Sequence, residues 1–311
     1  MERMSARRAL PHVFLPAILA ISLILYTQYT HAQKCQMAHD KSALKALQER
    51  AATGDEDAQC GLGRQYENAF GVPQDNTQAV LWLRKAAEQG NITAQVELGV
   101  VFDNIQDYAQ AFTWYSKAAE QGNARAQFNL GLCYMNGESV PKDTERALDL
   151  FRKAADQGDA IAQGELGVMC QDGVGVQQDY VQAANYFRKS ADQGIANSQY
   201  GLGFLYLHGN GVPKDDTQAT TWMLKAAEQG ETKAQFNLGV CYLNGQGVNR
   251  DLIEGYFWIF LANTRTTDSG LKGYAQNSLE ELTKAMKKGD IKSAQKRAQA
   301  WLNEHPSKAE Q

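Results

Sequence analysis

The sequence predicts an all-α fold, an α-solenoid of helix-turn-helix repeats closed by helical caps, and three observations carry that expectation. First, a block reading Lys-Ala-Ala-Glu-Gln-Gly at 85–90 returns, with small changes, at 117–122, 153–158, 189–194 and 225–230. The steps are 32, 36, 36 and 36 residues, and a fixed period in the thirties is what stacked helical hairpins produce. Second, Ala-Gln or Ser-Gln followed by Leu-Gly opens six copies, at Ala58, Ala94, Ala126, Ala162, Ser198 and Ala234. Third, the 311 residues include Gly 27 but Pro 6, and most of the glycines fall in register with the repeat, as punctuation rather than as linker. With 43% hydrophobic and 21% charged residues, the chain is not collagen-like, disordered or a small disulfide scaffold.

Taken in order, residues 1–32 read as an export signal. Arg3, Arg7 and Arg8 precede an apolar run from Val13 to Leu25, and Thr30-His31-Ala32 offers a cleavage site before Gln33. The run is short for a membrane span, which needs about 20 residues. Stretching it from Leu10 to Tyr29 would make an uncleaved anchor in the inner membrane, the alternative to a periplasmic or secreted protein. Cys35 follows Lys34, so no lipid-anchor box is present. Residues 33–54 form an N-terminal capping helix, with Leu44, Leu47 and Ala51 on one side of Met37–Thr53. Six repeats fill 55–264, at about 55–90, 91–122, 123–158, 159–194, 195–230 and 231–264. Residues 265–311 form a C-terminal helical cap, with Ile291, Ala294, Ala298, Trp301 and Leu302 as one apolar stripe.

Each copy reads as two helices. In the third, Ala126, Leu130, Cys133 and Tyr134 share one arc of a helical wheel, so the first helix runs to about Asn136. Gly137 ends it, since Asn-Gly favours a left-handed cap. The second helix starts near Thr144 and presents Ala147, Leu150, Phe151, Ala154 and Ala155 until Gly158. The large residue expected in each copy's wedge is Trp82, Trp114, Phe151, Phe187 or Trp222. Lys85 with Glu88, and Lys153 with Asp156, are spaced to pair along the second helix. The second copy lacks four residues in its turn, Asp103–Asp107.

These residues resemble the Sel1-like repeat, a relative of the tetratricopeptide repeat: Ala-Gln-x-x-Leu-Gly-x-x-Tyr-x-x-Gly-x-Gly-Val, then Ala-x-x-Trp-x-x-Lys-Ala-Ala-Glu-Gln-Gly, over about Asp55 to Ala262. Gly255 to Ala262 and the tail helices resemble the closing segment of bacterial members. Cys170 departs from the pattern where a tyrosine is usual, and Gly255 where alanine is. The resemblance implies an exported scaffold or adaptor that binds a protein or peptide in a concave groove lined by the first helices. It also implies a role in envelope complexes, secretion, host contact or enzyme regulation. Some cysteine-rich relatives are linked to β-lactam binding or hydrolysis, which is the alternative from another functional class.

The residues offer little for catalysis, and the chain is read as a non-enzyme. Ser-x-x-Lys occurs at Ser42–Lys45, Ser269–Lys272 and Ser293–Lys296, the spacing of serine penicillin-recognising enzymes, but the Ser-Asp-Asn and Lys-Thr-Gly partners are missing. His12, His31, His39, His208 and His305 fall at no ligand spacing, so no metal is expected, and no phosphate-loop context implies a cofactor. The net charge of −4 argues against nucleic acid. A membrane partner is expected only if the N-terminal segment stays uncleaved, the basic stretch Lys284–Arg297 being read as one face of the cap. Cysteine gaps of 25, 73, 37 and 71 do not match the cysteine-rich relatives. Cys133 and Cys241 read as small core residues, and Cys133–Cys170 and Cys35–Cys60 remain as conceivable bridges.

One polar arc is left on the first helix. Arg125 and Asn129 occupy it in the third copy, and their register equivalents include Glu97, Glu165, Lys233 and Asn237. Phe128 and Leu132 beside it are apolar, as contact with a neighbouring copy would require. Glu97, Arg125, Asn129, Glu165, Lys233 and Asn237 are therefore the candidate residues for contact with a peptide or protein.

Overall fold

Short polar side chains decide where the helices begin. The computed structural model describes residues 35, 37 and 40–306, and the expected signal at 1–32 lies outside them. Fifteen helices and no strand occur among the described residues. They start with α1 (Lys41–Ala52), followed by the repeat pairs α2 (Glu56–Glu67) and α3 (Asn76–Glu88), α4 (Ile92–Asn104) and α5 (Tyr108–Glu120), and α6 (Ala124–Asn136) and α7 (Thr144–Asp156). The remaining pairs are α8 (Ala160–Asp172) and α9 (Tyr180–Asp192), α10 (Ala196–His208) and α11 (Asp216–Glu228), and α12 (Thr232–Asn244) and α13 (Leu252–Arg265). Two more helices, α14 (Ser269–Ala285) and α15 (Lys288–Glu304), complete the chain. The Asp that ends the turns Gly71-Val-Pro-Gln-Asp75 and Gly211-Val-Pro-Lys-Asp215 caps a second helix: Asp75 accepts from the Gln78 amide at 3.0 Å and Asp215 from that of Gln218 at 2.9 Å. Asn91, Asn123 and Asp159 do the same for first helices. At the other end Gly137 adopts φ 77, where the missing Cβ removes the steric penalty.

The chain divides into two compact units, Met1–Pro141 and Lys142–Gln311, split in the turn of the third copy. Within each, consecutive helices pack on one another as far as α14, and α15 packs on α13. The glycine of each Leu-Gly pair makes that packing close. A Cβ would lie 2.6 Å from Leu83 Cγ at Gly63, 2.5 Å from Tyr115 Cε1 at Gly99 and 2.6 Å from Phe187 Cδ1 at Gly167. The wedge is thus filled by Leu83, Tyr115, Phe151, Phe187 and Met223, all fully buried. This corrects the expected Trp82, Trp114 and Trp222, which sit one residue earlier in register. Those tryptophans carry the lysines instead: Lys85, Lys117 and Lys225 place Nζ 4.1, 4.2 and 4.0 Å from the ring centres of Trp82, Trp114 and Trp222. Lys153 pairs with Asp149, one turn back, at 2.7 Å rather than with Asp156.

A glutamine relay joins consecutive copies. The Gln after the opening Ala donates to a carbonyl near the end of the preceding second helix: Gln95 to Ala87 at 3.1 Å, Gln163 to Ala155 at 3.1 Å and Gln235 to Ala227 at 3.0 Å. Its own oxygen accepts from the Gln that ends the same copy, at 2.8 Å for Gln121 to Gln95, Gln193 to Gln163 and Gln229 to Gln199. Gln59 makes the donor half of this contact with Ala51 at 3.1 Å, so α1 docks as a half-repeat.

Both ends are closed. Cys35 and Cys60 form a disulfide with their Cα atoms 5.3 Å apart, and Arg64 donates to the Cys35 carbonyl at 3.1 Å. Cys133, Cys170 and Cys241 are free and buried. The conceivable Cys133–Cys170 bridge is therefore not formed. At the far end α13 is buried nearly all round, with Tyr256, Ile259 and Leu261 under Ala275 and Leu282 of α14 and Ile291, Ala294 and Ala298 of α15. Arg297, from the basic stretch, holds both carboxylate oxygens of Glu254 at 2.7 and 3.2 Å.

Candidate functional site

The first helix of each copy, sandwiched by second helices, keeps one open arc. In α6 Arg125 and Asn136 are exposed and Asn129 and Leu132 half-buried on it. The same register exposes Lys233 on α12 and Ile161 on α8. Leu132 lines a pocket with Asp103, Tyr108 and Tyr115 of the preceding copy. It belongs to a row that recurs six positions after the opening Ala: Val100 and Leu132 in the first unit, and Val168, Phe204 and Val240 in the second, all half-buried. An apolar row with polar residues beside it is a surface suited to a peptide's alternating side chains.

In the first unit the polar residues form a linked set. Glu97 pairs with Arg64 Nε at 3.8 Å. Burial, and then Glu97, push the Glu67 carboxyl above its usual range, while Arg64 and Arg125 oppose the shift. Burial raises the pKa of the Tyr115 hydroxyl strongly, and the neighbouring Asn129 opposes that shift. Beside it lies a pocket of about 280 Å³ lined by Asp103, Tyr115, Asn129, Leu132, Cys133 and Glu138, among others. Burial and the facing Glu138 raise the pKa of Asp103, and burial pushes the Cys133 thiol up to about 12, far from thiolate reactivity. Sequence reasoning missed Glu67, Asp103 and Tyr115, because their neighbours come from other copies.

In the second unit Asn237 donates to the Tyr200 hydroxyl at 3.3 Å and to the Lys233 carbonyl at 2.9 Å. Burial, then Glu231, raise the Tyr200 pKa. Glu165 is half-buried and its pKa is raised by burial. The six candidates thus share a register but fall on both units: Glu97, Arg125 and Asn129 on the first, Glu165, Lys233 and Asn237 on the second. Each Ser-x-x-Lys tetrad lies on an exposed face of α1, α14 or α15. Among the described residues no group of three or more His, Cys, Asp or Glu side chains is arranged to hold a metal ion.

The family model for the Sel1 repeat matches six times, at 56–91, 93–123, 124–159, 160–195, 196–231 and 232–263. Two solved structures are similar. A protective antigen present in uropathogenic Escherichia coli strains, displaying an SLR fold, is 34% identical over 86% of this chain and 57% of its own, with a TM-score of 0.78. A Sel1 repeat protein from Oxalobacter formigenes is 32% identical over 83% of this chain and 76% of its own, with a TM-score of 0.66. The chain therefore spans little more than half of the first protein's length. No curated protein matches it. Repeats of this kind are typically non-enzymatic scaffolds that mediate protein interactions.

Proposed function

The chain belongs to the Sel1-repeat family, and on that premise we propose that it is an exported scaffold whose first-helix face binds a protein or peptide in an extended segment. One observation carries the binding face. Among the described residues, half-buried apolar side chains six positions after the opening residue run beside polar side chains in every copy from the second to the sixth. Export is supported by the N-terminal pattern at 1–32 and by the Cys35–Cys60 bridge, since structural disulfides persist in oxidising compartments. The place we assign is the periplasm or the exterior, with cleavage after Ala32. Host contact is the role favoured among those the family suggests, because the similar protein of uropathogenic E. coli is a protective antigen.

Two measurements test this. The mature chain from the exported fraction should begin at Gln33 and titrate three thiols under denaturing, non-reducing conditions, rising to five after reduction. Five thiols before reduction would remove the argument for an oxidising compartment. Crosslinking in intact cells should capture a partner with the wild type but not with Arg125→Glu/Lys233→Glu, two exposed substitutions that leave melting unchanged. Equal capture by the variant would discard this face.

A further inference from the structure

The eighth residue after the opening Ala or Ser is an aromatic ring in five copies, Tyr66, Phe102, Tyr134, Tyr206 and Tyr242, and Cys170 in the remaining one. Where the preceding second helix carries an arginine in register, that arginine stands over the ring. Arg84 on α3 places Cζ 5.6 Å from the ring centre of Phe102. Arg188 on α9 places Cζ 5.6 Å from the ring centre of Tyr206 and also donates to its hydroxyl. Arg152 on α7 is the third arginine of this register, and it faces Cys170. A cavity of about 310 Å³ lies there, lined by Arg152, Cys170, Val176, Gln178, Asp179 and Gln182, among others. All of these residues belong to the second unit. Arg84 and Arg188 are half-buried by their rings, whereas Arg152 is exposed. It makes no hydrogen bond or ion pair among the described residues. The Asp179 carboxylate is engaged in capping α9, accepting from the Val181 and Gln182 amides at 2.9 Å.

Size and charge together narrow what this cavity can take. Roughly 150 Å³ suffices to admit a benzene ring, so a ring fits with room for its substituents. Asp179 in the lining disfavours an anion and Arg152 disfavours a cation. A neutral ring bearing a hydroxyl suits both, since its face attracts a guanidinium and its oxygen accepts from one. We propose that the cavity between Arg152 and Cys170 is a binding site for a phenol ring, which takes the place that Tyr206 fills in the next copy. The ring lies against the Arg152 guanidinium, and the hydroxyl accepts from it. It belongs to a free phenol or to a tyrosine of a partner segment. Position eight lies away from the polar arc of the first helices, so the site stands independently of the binding face proposed above.

Calorimetric titration of the purified full chain with N-acetyltyrosinamide, N-acetylphenylalaninamide and 4-ethylphenol tests it. N-acetyltyrosinamide should bind saturably at one site and roughly tenfold more tightly than N-acetylphenylalaninamide, the scale of one charge-assisted hydrogen bond. Arg152→Met should remove most of that difference. Cys170→Tyr supplies the ring from the chain itself, and it should abolish binding of all three probes and raise the melting temperature. If that variant does not fold, Cys170→Phe makes the same test, since Phe102 occupies this register in the second copy. Tighter binding of N-acetyltyrosinamide than of 4-ethylphenol assigns the site to a partner's tyrosine, and the reverse order assigns it to a free phenol. No saturable binding by any probe, or undiminished binding to the Cys170 variant, would overturn the site. Equal affinity for the two amides would overturn the choice of a phenol.

Discussion

Glu165 shows how much a single residue's neighbours decide. Its place on the open arc was legible from a helical wheel, but its half-burial was not, because that depends on what packs around it. The wedge residues teach the same lesson. Trp114 and Tyr115 are adjacent, large, aromatic and both buried, and a wheel alone does not say which one meets the glycine of the first helix. The close approach to Gly99 settles it for Tyr115. The energetic consequence for Glu165 has a definite sign. Its folded-state pKa is raised above the ordinary 4.5 by burial, so the carboxyl stabilises the fold only while protonated. That stability is present below pH 4.5 and is lost as pH rises through the folded-state value. Glu165→Gln should therefore melt higher than wild type at pH 7, by on the order of 2 °C. The two should converge at pH 4, as followed by circular dichroism. A difference that persists unchanged at pH 4 would mean that the charge is not its source.

At the scale of the element, the sequence marks helix boundaries well because caps are local chemistry. Asp-, Asn- and Gly-based signals lie within a few residues of what they terminate, and Thr144 and Asn136 were placed from them directly. The bonds between elements were harder to read. Gln recurs in register both after the opening Ala and before the closing Gly, and that double recurrence was the available signal for a relay 30 residues long. The relay also explains an exception. In the last copy Arg265 replaces the closing Gln, and the Gln235 oxygen is left buried without a donor. Removing a donor elsewhere should reproduce that cost. Gln193→Ala takes away the 2.8 Å bond to Gln163 and strands a buried acceptor, a loss of about 1–3 kcal/mol by urea denaturation. Adding Gln163→Leu should then cost less than it does in the wild type, since the stranded oxygen goes with it. Strict additivity of the two would mean that the relay contributes nothing as a unit.

For the whole molecule, the number and type of repeats were legible because each copy restates the same local pattern, and the candidate site was legible only as a register. Its partition into Glu97, Arg125 and Asn129 on one unit and Glu165, Lys233 and Asn237 on the other has no counterpart in any single repeat. The tail helices α14 and α15 form a cap, which is built to differ from what it covers. Their role can be separated from that of a repeat. Excising 195–230 removes one period and lets α8 and α9 meet α12 with the same kinds of surface, so the shortened chain should stay soluble and helical with lower stability. Ending the chain at Thr264 uncovers Tyr256, Phe257 and Leu261, which α14 and α15 bury together with Ile259. Because exposed contiguous apolar surface drives association, that truncation should aggregate or elute as large species in size-exclusion chromatography although it deletes no repeat. The order is the informative outcome: if the truncated chain stays monomeric and melts no lower than the excised one, α14 and α15 are not what closes the solenoid.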